Sequence, residues 1–178
     1  MATRIERNAP FHWKAAVWAG LIAGAVFLVL EMVLVPLALG ESMWGPPRMM
    51  AAIVMGERVL PPPATFDPLI LLVAMAVHFP LSVLFAIPAA WIVQRMGPGV
   101  GATLLLGALW GLALYAINFY AMTAFFPWFA MARNWVSIVG HAVFGFVATW
   151  AYLAFRRGGV GTVRTEARDD RQDRIAAD

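Results

Sequence analysis

The sequence predicts an all-α membrane protein, a four-helix transmembrane bundle running up-down-up-down. Three observations point there. Hydrophobic residues make up 62% of the 178 and charged residues 13%, with a mean hydropathy of +0.75. Soluble domains average about 45–50% apolar and about 25% charged. Four apolar stretches each approach or exceed the roughly 20 residues that cross a bilayer. The basic residues gather at the chain ends and at short turns. This composition excludes a water-soluble enzyme, a disordered regulator and a nucleic-acid binder. Four spans with their loops leave no length for a soluble catalytic domain.

The first span is 15–39, an apolar run broken only by Glu31. It is too long for a signal-peptide core, carries an acid, and lacks a small-x-small cleavage site. It reads as a retained helix. The stretch 40–67 holds structure of its own. Gly45-Pro46-Pro47 can open a helix, because proline is tolerated in the first turn. An interfacial helix over about 47–60 follows, with Met49, Met50, Ile53, Val54 and Met55 available to dip into lipid or to cap the bundle. Pro61-Pro62-Pro63 stops it.

The second span is 68–93, with kinks expected at Pro80 and Pro88. A tight turn at Gly97-Pro98-Gly99 leads to the third span, 100–125. A short turn containing Pro127 leads to the fourth, 134–155. The first 157 residues thus form the transmembrane domain. Residues 158–178 read as a polar tail, disordered or loosely helical.

Ten of the thirteen basic residues fall on one side of this arrangement, among them Lys14, Arg95, Arg156 and Arg157; Arg48, Arg58 and Arg133 fall on the other. The positive-inside rule then places both termini in the cytoplasm. Only Lys14 is lysine; every other basic residue is arginine. With the high Ala, Gly and Pro content this suggests a GC-rich bacterial gene and an inner-membrane location. Trp13, Trp91 and Trp150 fall at one interface and Trp44, Trp128 and Trp135 at the other, the expected aromatic belts. The chain has no cysteine, which excludes disulfides, thiolate metal sites and thiol chemistry.

The two halves of the chain resemble each other. Gly20-x-x-x-Gly24 precedes Glu31 by seven residues, and Gly107-x-x-x-Gly111 precedes Asn118 by the same interval. The second helix of each hairpin carries one histidine, His78 or His141. Such self-similarity suggests two parallel hairpin repeats related by an axis along the membrane normal. The glycine pairs let helices approach closely.

Glu31, His78, Asn118 and His141 are the informative residues. At about 1.5 Å per residue, each sits roughly 10–15 Å below the same end of its helix. Polar groups at that depth are expensive and need a partner or a cavity. Tyr115 lies three residues before Asn118, on nearly the same helix face, and joins the set. The plainer reading is an interhelical hydrogen-bond layer, each bond worth about 0.6–2 kcal/mol. The functional readings are several. An acid beside a histidine can relay a proton or bind a small cation. Glu31, His78 and His141 also make a nitrogen and oxygen set for a divalent metal. The two histidines are candidate axial ligands of a b-type haem, with Gly140 and Gly145 flanking His141 and leaving room for a porphyrin. His12 reads as an interfacial anchor and Arg133 as a snorkelling side chain. The sequence contains no Walker A loop, no His-Glu-x-x-His motif and no Gly-x-Ser-x-Gly elbow, so no enzyme is expected.

Three stretches carry a family resemblance: Glu31-Met-Val-Leu-Val-Pro-Leu; Trp44-Gly-Pro-Pro-Arg-Met-Met with Leu60-Pro-Pro-Pro-Ala-Thr-Phe-Asp; and Phe126-Pro-Trp-Phe-Ala-Met-Ala-Arg-Asn-Trp. The chain resembles a group of small, uncharacterised bacterial inner-membrane proteins, over most of its length before the tail. Some members carry the label sodium:proline symporter. Such symporters are much larger, with a broken-helix, inverted-repeat core, whereas this chain has about four spans and parallel repeats. The resemblance implies the family and assigns no site residue.

The leading expectation is therefore a transport-related inner-membrane protein with a polar site for a proton, metal ion or small cation, working as a homodimer if it forms a pathway. The rival is an accessory subunit of a larger membrane complex, docked through its 40–67 loop. A haem-bearing electron-transfer subunit is the third.

Overall fold

A computed structural model of the chain describes residues 10–97 and 99–176, with side chains as far as Arg156. The described residues form helices and connecting turns, with no strand. The long helices are α1 (Trp13–Leu34), α3 (Pro68–Met96), α4 (Val100–Ala116) and α5 (Trp135–Ala176); α2 (Gly45–Met55) is short. Four segments are long and apolar enough to cross a membrane: Trp13–Leu39, Pro68–Met96, Val100–Ala124 and Trp135–Arg156. The all-α four-span bundle expected from the sequence is the fold observed. The amino-terminal basic residues Arg4 and Arg7, Pro98 of the expected turn, and the side chains of the polar tail lie outside the described residues.

Local chemistry sets the helix ends. Asp67 opens α3, its carboxylate accepting from the backbone N–H groups of Leu69 and Ile70 at 2.9 and 3.0 Å, and Pro68 follows at the first helical position. Asn134 does the same for α5 through the Ser137 N–H at 3.0 Å. Gly97 closes α3 at a φ of +58°, a conformation costly for any residue with a Cβ.

Two spans end in wider turns. Val35–Leu39 and Ile117–Ala121 are π-helical. Pro36 has no N–H to offer the carbonyl four residues back, which accounts for the first. The second carries Asn118 and contains no proline.

The four long helices surround one another in chain order, but unevenly. Helix α5 packs extensively on α4 and α1, α1 packs on α3, and α3 and α4 barely meet. Half of the most apolar stretch of α5 is buried, against 22–28% for the other three spans. Small residues permit these approaches. A Cβ on Gly20 would lie 2.6 Å from the Val83 Cα, and one on Gly24 would lie 2.5 Å from Ser82 Oγ. A Cβ on Gly107 would collide with Thr149 and the Gly145 carbonyl, and one on Gly111 with the His141 carbonyl. Each glycine pair therefore seats its helix on the histidine-bearing helix of the same hairpin.

Helix α2 lies across the end of the bundle on α3. Ala51, Ala52, Val59, Ile70 and Ala74 form a small core there. Arg48 fastens the connection, donating to the Val59 carbonyl at 2.7 Å and twice to the Thr65 carbonyl at 3.0 and 3.2 Å. Of the two roles expected for its apolar residues, Met49, Met50 and Ile53 take the second and cap the bundle. At the opposite end, Gln94 links Tyr152 to the Pro10 carbonyl.

Candidate functional site

Beneath α2, the bundle holds a partly open cavity of about 620 Å³, within the roughly 300–1,000 Å³ of small-molecule sites. Its walls are mainly apolar and rich in phenylalanine, including Phe27, Phe85, Phe119, Phe129 and Phe144. Its polar side chains are few. Glu31, His78, Ser82, Asn118, Ser137 and His141 line the deeper part, with Asn134, Glu41 and Arg48 from the covering segments. Four of the five residues singled out in the sequence therefore share one cavity. Tyr115 does not line it; its half-buried ring lies edge-on to His141, with centroids 5.8 Å apart.

Each histidine is held by its own helix and by a neighbour. His78 Nε2 lies 2.9 Å from the Gly24 carbonyl oxygen. A carbonyl only accepts, so Nε2 carries the proton in this bond and the lone pair is left on Nδ1. Ser82, one turn along α3, donates to the His78 carbonyl at 2.8 Å and lies 3.5 Å from Nε2. His141 takes the opposite tautomer. Its Nδ1 donates to the Ser137 carbonyl at 2.8 Å, and Nε2 accepts from the Asn118 amide at 3.3 Å. Asn118 keeps its amide oxygen as a further acceptor.

Glu31 is 5% exposed, and among the described residues its Oε1 has no hydrogen-bond partner. The carboxylate fits against α5 because Gly140 has no side chain. A Cβ there would lie 2.6 Å from Oε1 and 3.2 Å from Phe27 Cε2. Phe27, one turn before Glu31, touches both imidazoles, with ring centroids 5.9 Å from His78 and 5.0 Å from His141.

This geometry separates the chemistries the sequence left open. Among the described residues, no three His, Asp or Glu side chains come together as a metal-holding group. Glu31, His78 and His141 line one cavity without forming the divalent-metal set expected of them. A bis-histidine haem does not fit either. His78 Nε2 is committed to the Gly24 carbonyl, and the Phe27 ring packs on both imidazoles. Arg133, expected to snorkel, is exposed and also makes local bonds. It donates to the Phe119 carbonyl at 2.7 Å and to Thr123, and lies over the Tyr120 ring at 4.6 Å, so it caps the end of the third span.

Sequence reasoning missed Phe27, Ser82 and Ser137. Each stands four residues from a residue it found: Phe27 before Glu31, Ser82 after His78, Ser137 before His141. One helical turn was the available signal. Gly140 was read as room beside His141; what occupies that room is the Glu31 carboxylate, brought there by α1. No family model matches the chain, and neither a curated protein nor a solved structure does.

Proposed function

We propose that this chain is a multi-pass inner-membrane protein that binds a small cation, with Glu31 as the counter-charge, as part of a transport-related activity. The observation that carries this reading is the buried Glu31 carboxylate, one oxygen unpaired, on the wall of a cavity large enough for a small molecule. An acid held inside an apolar bundle is destabilising unless something offsets it. No Lys or Arg reaches Glu31 to form an ion pair among the described residues. A bound cation supplies that partner. Phenylalanine faces add cation–π attraction, and the lone pairs of His78 Nδ1 and the Asn118 amide oxygen are available to a head group that donates hydrogen bonds. In this reading the α2 end of the bundle faces away from the cytoplasm, which the charge asymmetry of the sequence supports.

The test is carbodiimide labelling of the purified protein in lipid nanodiscs, read by mass spectrometry. A hydrophobic carbodiimide is expected to modify Glu31, and Glu31→Gln removes that adduct while leaving the fold intact. Sodium, magnesium, tetramethylammonium and benzylammonium are then titrated as protectants. At least one is expected to slow modification. If none does, Glu31 binds no cation and the reading falls.

A further inference from the structure

The α2 cover and the gap between α3 and α4 differ in how firmly they are closed. The cover is stapled. Arg48 makes three hydrogen bonds to the backbone of the connection that follows α2, and Trp128 Nε1 donates to the Met49 carbonyl at 3.3 Å. The gap is closed by side chains. Helices α3 and α4 are neighbours in sequence whose backbones approach little, and Phe85 and Ala86 of α3 share an apolar cluster with Trp110 and Leu114 of α4. Both helices line the cavity, α3 with Leu81 and Phe85, α4 with Leu114. Among the described residues, one polar contact spans the gap: Trp110 Nε1 donates to the Phe85 carbonyl at 2.9 Å. Pro88 has no N–H for the Leu84 carbonyl, which loosens this turn of α3 and exposes its backbone acceptors.

The cavity behind the gap has a division of its own. Of its two acids, Glu31 is buried deep and Glu41 is exposed, and its walls are mainly phenylalanine, leucine and methionine. A hydrated metal ion or a compact hydrophilic cation leaves those walls without a partner. A molecule with one charged end and an apolar body satisfies both parts.

We propose that the cavity takes an amphiphilic organic ammonium ion and admits it from the bilayer through the gap between α3 and α4, with the Trp110–Phe85 contact as the latch at the foot of that gap. This rests on Glu31 acting as a counter-charge. The ammonium meets the Glu31 carboxylate, and the alkyl or aryl body lies among the phenylalanines. A ligand of this kind is already concentrated in the membrane, so its route never crosses the stapled cover.

The experiment uses the full chain in nanodiscs, with carbodiimide modification of Glu31 as the readout. Octylammonium, tetramethylammonium and 1-octanol are compared as protectants. Octylammonium is expected to protect, tetramethylammonium to need at least about tenfold higher concentration, and octanol to give no protection. The tenfold follows from burying only a few more methylenes, each worth about fourfold in affinity. Equal protection by tetramethylammonium overturns this proposal and leaves cation binding standing. Equal protection by octanol identifies a neutral lipid-like occupant and overturns both. No protection by any of the three overturns this proposal, and the inorganic cations then decide the broader reading. The route is tested with Trp110→Phe, which keeps the ring and removes the N–H. Octylammonium protection is expected to set in faster at an unchanged midpoint. Unchanged kinetics overturn the lateral route.

Discussion

At the residue scale, the candidate site depends on one absence, the missing side chain of Gly140. The Glu31 carboxylate lies where a Cβ would project from α5. Gly140→Ala therefore forces Glu31 and Phe27 to move together, since a methyl would lie 2.6 Å from one and 3.2 Å from the other. Overpacking of this kind costs about 1–3 kcal/mol. The expected outcome is a lower unfolding temperature in detergent and altered carbodiimide modification of Glu31. An unchanged melting temperature with unchanged labelling would show that the carboxylate does not use the Gly140 surface. The polar residues of the site were legible in the sequence because a charged or imidazole side chain stands out in an apolar span. Gly140 was legible only as space beside His141, because what fills a glycine's space depends on the helix packed against it.

At the element scale, the glycine pairs decide how closely helices approach, and the structure ranks them. Both Gly24 and Gly111 face the helix that follows in their hairpin. A Cβ on Gly24 meets Ser82 Oγ, which can rotate, and Ser82 Cβ at 2.8 Å, which yields only with its helix; a Cβ on Gly111 meets the His141 backbone carbonyl more closely still, and neither its oxygen nor its carbon can rotate away. Gly111→Ala is thus expected to destabilise more than Gly24→Ala, with the excess on the order of 1 kcal/mol. Thermal unfolding of the two variants under one detergent condition checks the order, and a reversed order would refute the ranking. The spans and the close-packing role of the glycines were legible from hydrophobic run length and the repeated Gly-x-x-x-Gly spacing. The π-turn at Ile117–Ala121 was not. It sets the rotation of Asn118 at the end of α4, and its five residues carry no proline to announce it. Arg133 escaped for a related reason. A lone arginine beside a span reads as a headgroup anchor until the Phe119 carbonyl it caps is known.

At the scale of the whole molecule, the two hairpins are joined twice, by the short connection between α3 and α4 and by the packing of α1 on α5. The second join is far the larger. Helix α1 lies along α5, Ala15, Ala16 and Ala19 share a core with Ala151, Tyr152 and Leu153, and Ala23 shares another with Phe144 and Ala148. Helices α3 and α4 add Ala86 and Leu114 to that second core, but their backbones approach little. The covalent link and the larger packing interface thus sit on different sides of the bundle, which makes the α3–α4 side the easier one to part without separating the halves. A protease site inserted between Gly97 and Gly99 tests this. After cleavage in detergent, residues 1–97 and the remainder are expected to migrate together on size exclusion, because association rests on α1 and α5. The cut should also hasten access of a membrane-borne carbodiimide to Glu31, since it removes the connection that limits how far α3 and α4 can diverge. Halves that separate would mean that α1 and α5 do not hold the bundle. Halves that remain together with unchanged access would mean that the cavity opens elsewhere.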